Sequence, residues 1–72
     1  MQKLTVKQER IYITIEKLYQ RHGCWPTAEE IGEALNIPYT SYENLIRALK
    51  LKGIIIYVRK GHRHEWQIKQ NM

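Results

Sequence analysis

Apolar residues recur at intervals of three and four along the first two-thirds of the chain, then give way to a continuous run and finally to alternation. Ile11, Tyr12, Ile15, Leu18 and Tyr19 share one helical face, so this spacing predicts a first helix with that face buried. Thr5 followed by Gln8 is a capping-box pair that places its start near Val6, and Gly23 is positioned to end it in a left-handed conformation. Cys24, Trp25 and Pro26 read as an extended connector, because proline disfavours helix at the residue before it. Such a connector can add a short strand to the edge of a small sheet. Thr27 and Glu30 repeat the capping signature and open a helix over about 28–35, with Ile31, Ala34 and Leu35 facing inward. Asn36, Ile37 and Pro38 break it.

A third helix is expected from Ser41 to Lys52, capped by Thr40 or Ser41 and stopped by Gly53. At 100° per residue, Tyr42, Leu45, Ile46 and Leu49 point into the core. Thr40, Glu43, Asn44, Arg47, Lys50 and Leu51 point out. The unbroken apolar run Ile54 to Val58 predicts a strand covered on both faces. Arg59-Lys60-Gly61-His62-Arg63 is a glycine-centred basic turn, and the alternation from Glu65 to Lys69 puts Trp66 and Ile68 on one face of a second strand. The order of these elements is that of an α+β winged helix-turn-helix: a three-helix bundle with a small antiparallel sheet as its wing. Residues 1–72 are read as one such domain.

Charge sharpens this picture. Twelve Lys and Arg oppose seven Glu, with no Asp, giving a formal charge of +5 and a pI near 9.6. A balance like this in a small domain points to a polyanionic partner, most commonly nucleic acid. Cys24 is the only cysteine, which rules out an internal disulfide and fits a reducing cytoplasm. Neither a membrane-spanning apolar stretch nor a signal-peptide core is present in the sequence.

The candidate chemistry is recognition, with no catalytic motif, cofactor site or metal-ligand spacing; His62 and His64 have no cysteine or carboxylate at ligand spacing. On the third helix, Thr40, Ser41, Glu43, Asn44 and Arg47 can reach base edges or phosphates, and Lys50 can meet phosphate. Asparagine pairs bidentately with adenine and arginine with guanine, and glutamate accepts from cytosine. Glu43 can alternatively pair with Arg47 one turn on. In the wing, Arg59, Lys60, His62 and Arg63 suit phosphate contact or entry into a minor groove. His22 is assigned to the inner side of the first helix, and Trp25 and Trp66 to the core or the sheet cover. Val6 and Ile13 fall on the outer side of the first helix, where they offer a surface for a homodimer or a protein partner.

Residues 4–69 resemble the N-terminal DNA-binding domain of the LexA repressor family. The likeness lies in L-T-V-K-Q at 4–8, G-x-x-P-T at 23–27, E-E-I-G-E-A-L at 29–35 and L-I-R-A-L-K-L-K-G-I-I at 45–55. The resemblance implies a winged helix that binds duplex DNA with its third helix in the major groove, as a dimer on a palindromic site. It implies a transcriptional repressor, without the family's self-cleaving C-terminal domain: an excised domain or a small stand-alone regulator of prokaryotic, phage or plasmid origin. Two departures matter. The stretch between Leu35 and Leu45 is about one residue shorter than in the family, and the reading-helix start T-S-Y-E-N differs from the family's S-P-N-A type, so the family's operator does not transfer. A tryptophan on the last strand also marks winged-helix binders of left-handed nucleic acid, whose helix tyrosine and wing prolines are replaced here by Arg47 and by Arg63 with His64. The reading from another class is a winged-helix module that binds a regulator or polymerase subunit and uses its charge for steering.

Overall fold

A computed structural model describes residues 4–69. Its elements are α1 (Val6–His22), α2 (Ala28–Leu35), α3 (Tyr39–Leu51), β1 (Ile55–Lys60) and β2 (Arg63–Ile68). Both capping boxes form as their sequence signatures require. Thr5 Oγ1 accepts from the Gln8 backbone N–H at 3.1 Å, and Gln8 Oε1 accepts in return from the Thr5 N–H. Thr27 and Glu30 make the same reciprocal pair at the head of α2. Each capping oxygen also takes a distant cation: Gln8 Oε1 accepts from Lys52 Nζ at 2.7 Å, and Glu30 Oε1 from Arg63 at 2.7 Å. Two local helix signals thus double as ties across the fold.

The core is formed by Ile11 and Ile15 of α1, Ile31 of α2, Tyr42, Ile46 and Leu49 of α3, and Ile55 of β1. It sits where the three helices meet the base of the hairpin. α2 and α3 join through Asn36, a non-glycine residue at φ 55, and Pro38. The approach of these helices is close. A Cβ built on Gly32 would lie 2.7 Å from Tyr42 Cε1 and Cζ, inside any real contact distance. Gly32→Ala is therefore expected to overpack the junction by about 1–3 kcal/mol. Its gain in helix propensity, about 1 kcal/mol, offsets only part of that cost. A lowered midpoint in urea denaturation checks this, and an unchanged or raised midpoint would contradict the contact.

α1 and α3 end as read, on Gly23 at φ 74 and on Gly53 at φ 76. After α3 the Gly53 N–H donates to Lys50 O and the Ile54 N–H to Leu49 O, which turns the chain directly into β1. The hairpin pairs antiparallel, with Ile55 opposite Ile68, Tyr57 opposite Trp66 and Lys60 opposite Arg63.

The structure departs from the sequence reading at several places. Tyr19, read into the buried face of α1, is 39% exposed, because it stacks on Trp25 at the end of the helix rather than entering the core. α3 begins at Tyr39, two residues before Ser41, and its N-cap is Pro38 rather than Thr40 or Ser41. Pro38 is extended at the N-cap, with φ −69° and ψ 151°, and its carbonyl accepts from the Ser41 N–H in place of a side-chain cap. The connector adds no strand: it makes a single bond of this kind, from the Trp66 N–H to Pro26 O at 2.9 Å, and the sheet stays two-stranded. β1 is not covered on both faces: Ile56 and Tyr57, on opposite sides of the hairpin, are exposed at 39% and 44% because no layer packs fully over either. Ala34 is exposed, on the wall of a groove that it lines together with Leu35 and residues of α1. His22 is exposed in the last turn of α1 rather than packed. Glu65 lies on the face of β2 opposite Trp66, as read, and is buried at 3%, under Arg63 and Lys60.

Candidate nucleic-acid interface

α3 presents its polar side because Tyr42, Ile46 and Leu49 commit the opposite side to the core. Thr40, Ser41, Asn44, Arg47 and Lys50 are exposed, and Glu43 is half-buried. Arg47 and Glu43 form the exposed i,i+4 pair, at 3.4 Å. A weak pair of this kind holds the guanidinium near the helix without immobilising it.

Alternation along the hairpin divides the basic turn in two. Register puts Ile55, Tyr57 and Arg59 on one face with Ile68, Trp66 and His64. Ile56, Val58 and Lys60 share the other face with Gln67, Glu65 and Arg63. The first of these faces meets α3: a cleft of about 180 Å³ is lined by Trp66 together with Glu43, Arg47 and Lys50. Tyr57 packs on Trp66 with ring centroids 5.1 Å apart, and its hydroxyl is hydrogen-bonded to His64 Nδ1. Arg59 thus lies on the α3 side of the wing, whereas Lys60 and Arg63 occupy the reverse side and His62 sits in the exposed turn. Tyr57, His64 and Trp66 belong to the same surface as Arg47 and Lys50. Sequence reasoning placed none of the three there; the signal available was the register of the hairpin, which puts Tyr57, Trp66 and His64 in phase with Arg59.

Arg63 is held within the fold through its Nε and Nη2. Its Nε donates to Glu65 Oε2 at 3.0 Å, and its Nη2 donates to Glu30 Oε1 at 2.7 Å and Trp25 O at 2.9 Å, with Cys24 Sγ at 3.6 Å. The side chain pins the root of β2 to the head of α2 and to the connector. Hydrogen bonding to Glu65 leads the effects that raise the Arg63 pKa; partial desolvation opposes it, and the bond and charge of Glu30 add to it. Burial alone would raise the Glu30 carboxyl. The Thr27 N–H, then the hydrogen bond and charge of Arg63 and the charge of His22, outweigh that and hold it below the usual carboxylate range.

A folded-state pKa lower than the unfolded one stabilises the fold above the ordinary carboxylate pKa of about 4.3. That contribution disappears as pH falls through the lowered value. Arg63→Gln is accordingly expected to cost about 1–3 kcal/mol at pH 7, by leaving buried Glu65 without its main donor. It should also flatten the fall in thermal midpoint between pH 5 and pH 3. Circular dichroism melts across that range check both effects, and an acid slope equal to that of the unsubstituted protein would remove Arg63 as the cause.

Three helices, a tight turn between the second and third, and a basic hairpin after the third define a winged helix-turn-helix. The sequence model of the LexA DNA binding domain matches residues 1–63. The chain therefore belongs to the LexA DNA-binding domain family, a family of DNA-binding transcription regulators, and DNA is its partner. No curated protein matches it. Among the described residues no helix is long and apolar enough to cross a membrane, and no cluster of three His, Cys, Asp or Glu is arranged to hold a metal ion.

Proposed function

We propose that this protein is a sequence-specific repressor of transcription that reads duplex DNA with α3 in the major groove. The observation that carries this reading is the uninterrupted exposure of Thr40, Ser41, Asn44, Arg47 and Lys50 along α3, beside a hairpin face bearing Arg59. Asn44 and Arg47 supply bidentate contacts to adenine and guanine. Thr40 and Ser41, in the first turn of α3, bond phosphate or base edges, and Lys50 meets the backbone. Glu43 releases Arg47 on binding and accepts from cytosine, or else it disfavours the wrong base by charge.

The wing divides its work by side. Arg59 holds the phosphates or minor groove flanking α3, with Lys60 and His62 at the hairpin tip extending that contact. Arg63 serves the interface from within, by fixing the angle between wing and α2 through Glu30 and Glu65.

Selection of sites from a random duplex pool at about 150 mM salt tests the proposal, because screening at that strength suppresses purely electrostatic binding. An enriched motif is the expected result. An inverted repeat within it reports two copies bound about one helical turn apart. A pool that stays flat, with binding that vanishes as salt rises, would overturn sequence reading.

A further inference from the structure

We propose that the groove between α1 and α2 docks an acidic, amphipathic helix from a partner protein. The groove encloses about 600 Å³. Val6, Ile13, Leu18, Ala34 and Leu35 supply its apolar surface. Val6 is 86% exposed and Ile13 38%, so apolar area lies open to water on a domain with little core to spare. Around that surface stand three exposed cations, Arg10, Lys17 and Arg21, against one carboxylate, Glu9. The ion pairs found among the described residues involve none of the three.

This combination selects its occupant. An apolar floor needs apolar side chains above it, which a phosphate backbone does not provide. Uncompensated cations at the edge need carboxylates, which attract the partner over distance and fix its orientation. A second copy of this chain fits poorly, since a two-fold pairing on this face sets the same three cations against themselves. At 1.5 Å per residue, Val6 to Arg21 extends roughly 22 Å, or about four helical turns. The matching ligand is a helix of about 15 residues, with apolar anchors at i, i+3 or i+4 and i+7 and with Glu or Asp flanking them. No residue of the groove lies on α3 or the hairpin, so its occupation is compatible with DNA on the other face. The inference stands independently of whether α3 reads bases.

The test is to pan a library of helical peptides, with the residues of one surface randomised, against the full chain. Affinities of the enriched peptides follow by fluorescence anisotropy at about 50 and 300 mM salt. Acidic peptides with the stated apolar spacing are expected, binding more weakly at the higher salt. Ile13→Glu and Lys17→Glu should each weaken them at least tenfold. Both positions are exposed, so both variants fold, and circular dichroism confirms it; their affinity for duplex DNA at about 150 mM salt, where charges on the far side are screened, should stay within about twofold of the original. The proposal is overturned if no peptide is enriched, if the enriched peptides are neutral or basic, or if neither substitution changes their affinity. A dimer at micromolar concentration that Ile13→Glu dissolves would overturn it in favour of self-association.

Discussion

Ile15→Ala is expected to destabilise the fold by about 2–5 kcal/mol. Ile15 is fully buried at the centre of α1, with Ile11, Ile31 and Leu49 in the same cluster. Truncating such a side chain removes its transfer free energy and leaves a cavity, at a cost of about 2–5 kcal/mol. A domain of this length holds only roughly 4–11 kcal/mol in all. Such a loss takes between about a fifth and all of that, and the small size leaves few neighbours able to collapse into the void. Urea denaturation gives the difference directly. Val6→Ala is the control: at 86% exposure its midpoint should move by less than about 0.5 kcal/mol. An Ile15→Ala loss under 1 kcal/mol would show that α1 is not held by this core.

The second large effect concerns binding. On a site obtained by selection, Arg47→Ala is expected to cost about 1–3 kcal/mol, or roughly ten- to a hundredfold, while barely changing affinity for random duplex. The asymmetry arises because a lost bidentate base contact matters only where the right base is present. Lys60→Ala should behave oppositely, weakening selected and random duplexes alike and reducing the salt slope by about one phosphate's worth. Glu43→Ala separates the two roles open to that carboxylate. If Glu43 only tethers Arg47 in the free protein, its removal raises affinity for every duplex by deleting a like charge; if it reads cytosine, affinity falls at one position of the site. Competition titrations at fixed salt with selected and scrambled duplexes distinguish these results. Equal losses for Arg47→Ala on both would end its part in base reading.

What the sequence disclosed follows the range of the forces involved. Thr5 with Gln8 and Thr27 with Glu30 announce two helix starts because a capping box is a contact within four residues. Gly23 and Gly53 mark the ends of α1 and α3 for the same reason. The inward face of α3 was legible from its period. The start of α3 was not, because Thr40 and Ser41 both have side chains suited to a cap, whereas Pro38 caps through its backbone carbonyl alone. Ile54 to Val58 reads as a strand covered on both faces, yet coverage depends on what packs against each face, and that is a tertiary fact.

The candidate site divides in the same way. Exposure of Asn44, Arg47 and Lys50 could be deduced from the helical period. The engagement of Arg63 by Glu30 could not, because the two lie 33 residues apart and neither has a local signature of the other. Three cationic side chains and a histidine close in sequence read as one patch, whereas the period of a strand sends Arg59 to one side and Lys60 with Arg63 to the other. Charge clustering in sequence is not clustering in space when the element is extended.

The two tryptophans occupy different worlds. Trp25 is stacked on Tyr19, with centroids 3.9 Å apart and planes at 15°, in the scaffold behind the sheet. Trp66 lines the cleft beside Arg47 and Lys50. Optically, then, the chain carries one indole as an internal reference and another at the face offered to DNA. With Trp25 replaced by Phe, the remaining emission comes from Trp66 alone. Quenching or a spectral shift on adding duplex then follows occupancy of the α3 face in real time, without a label, and the same signal stays still when only the α1–α2 groove is filled.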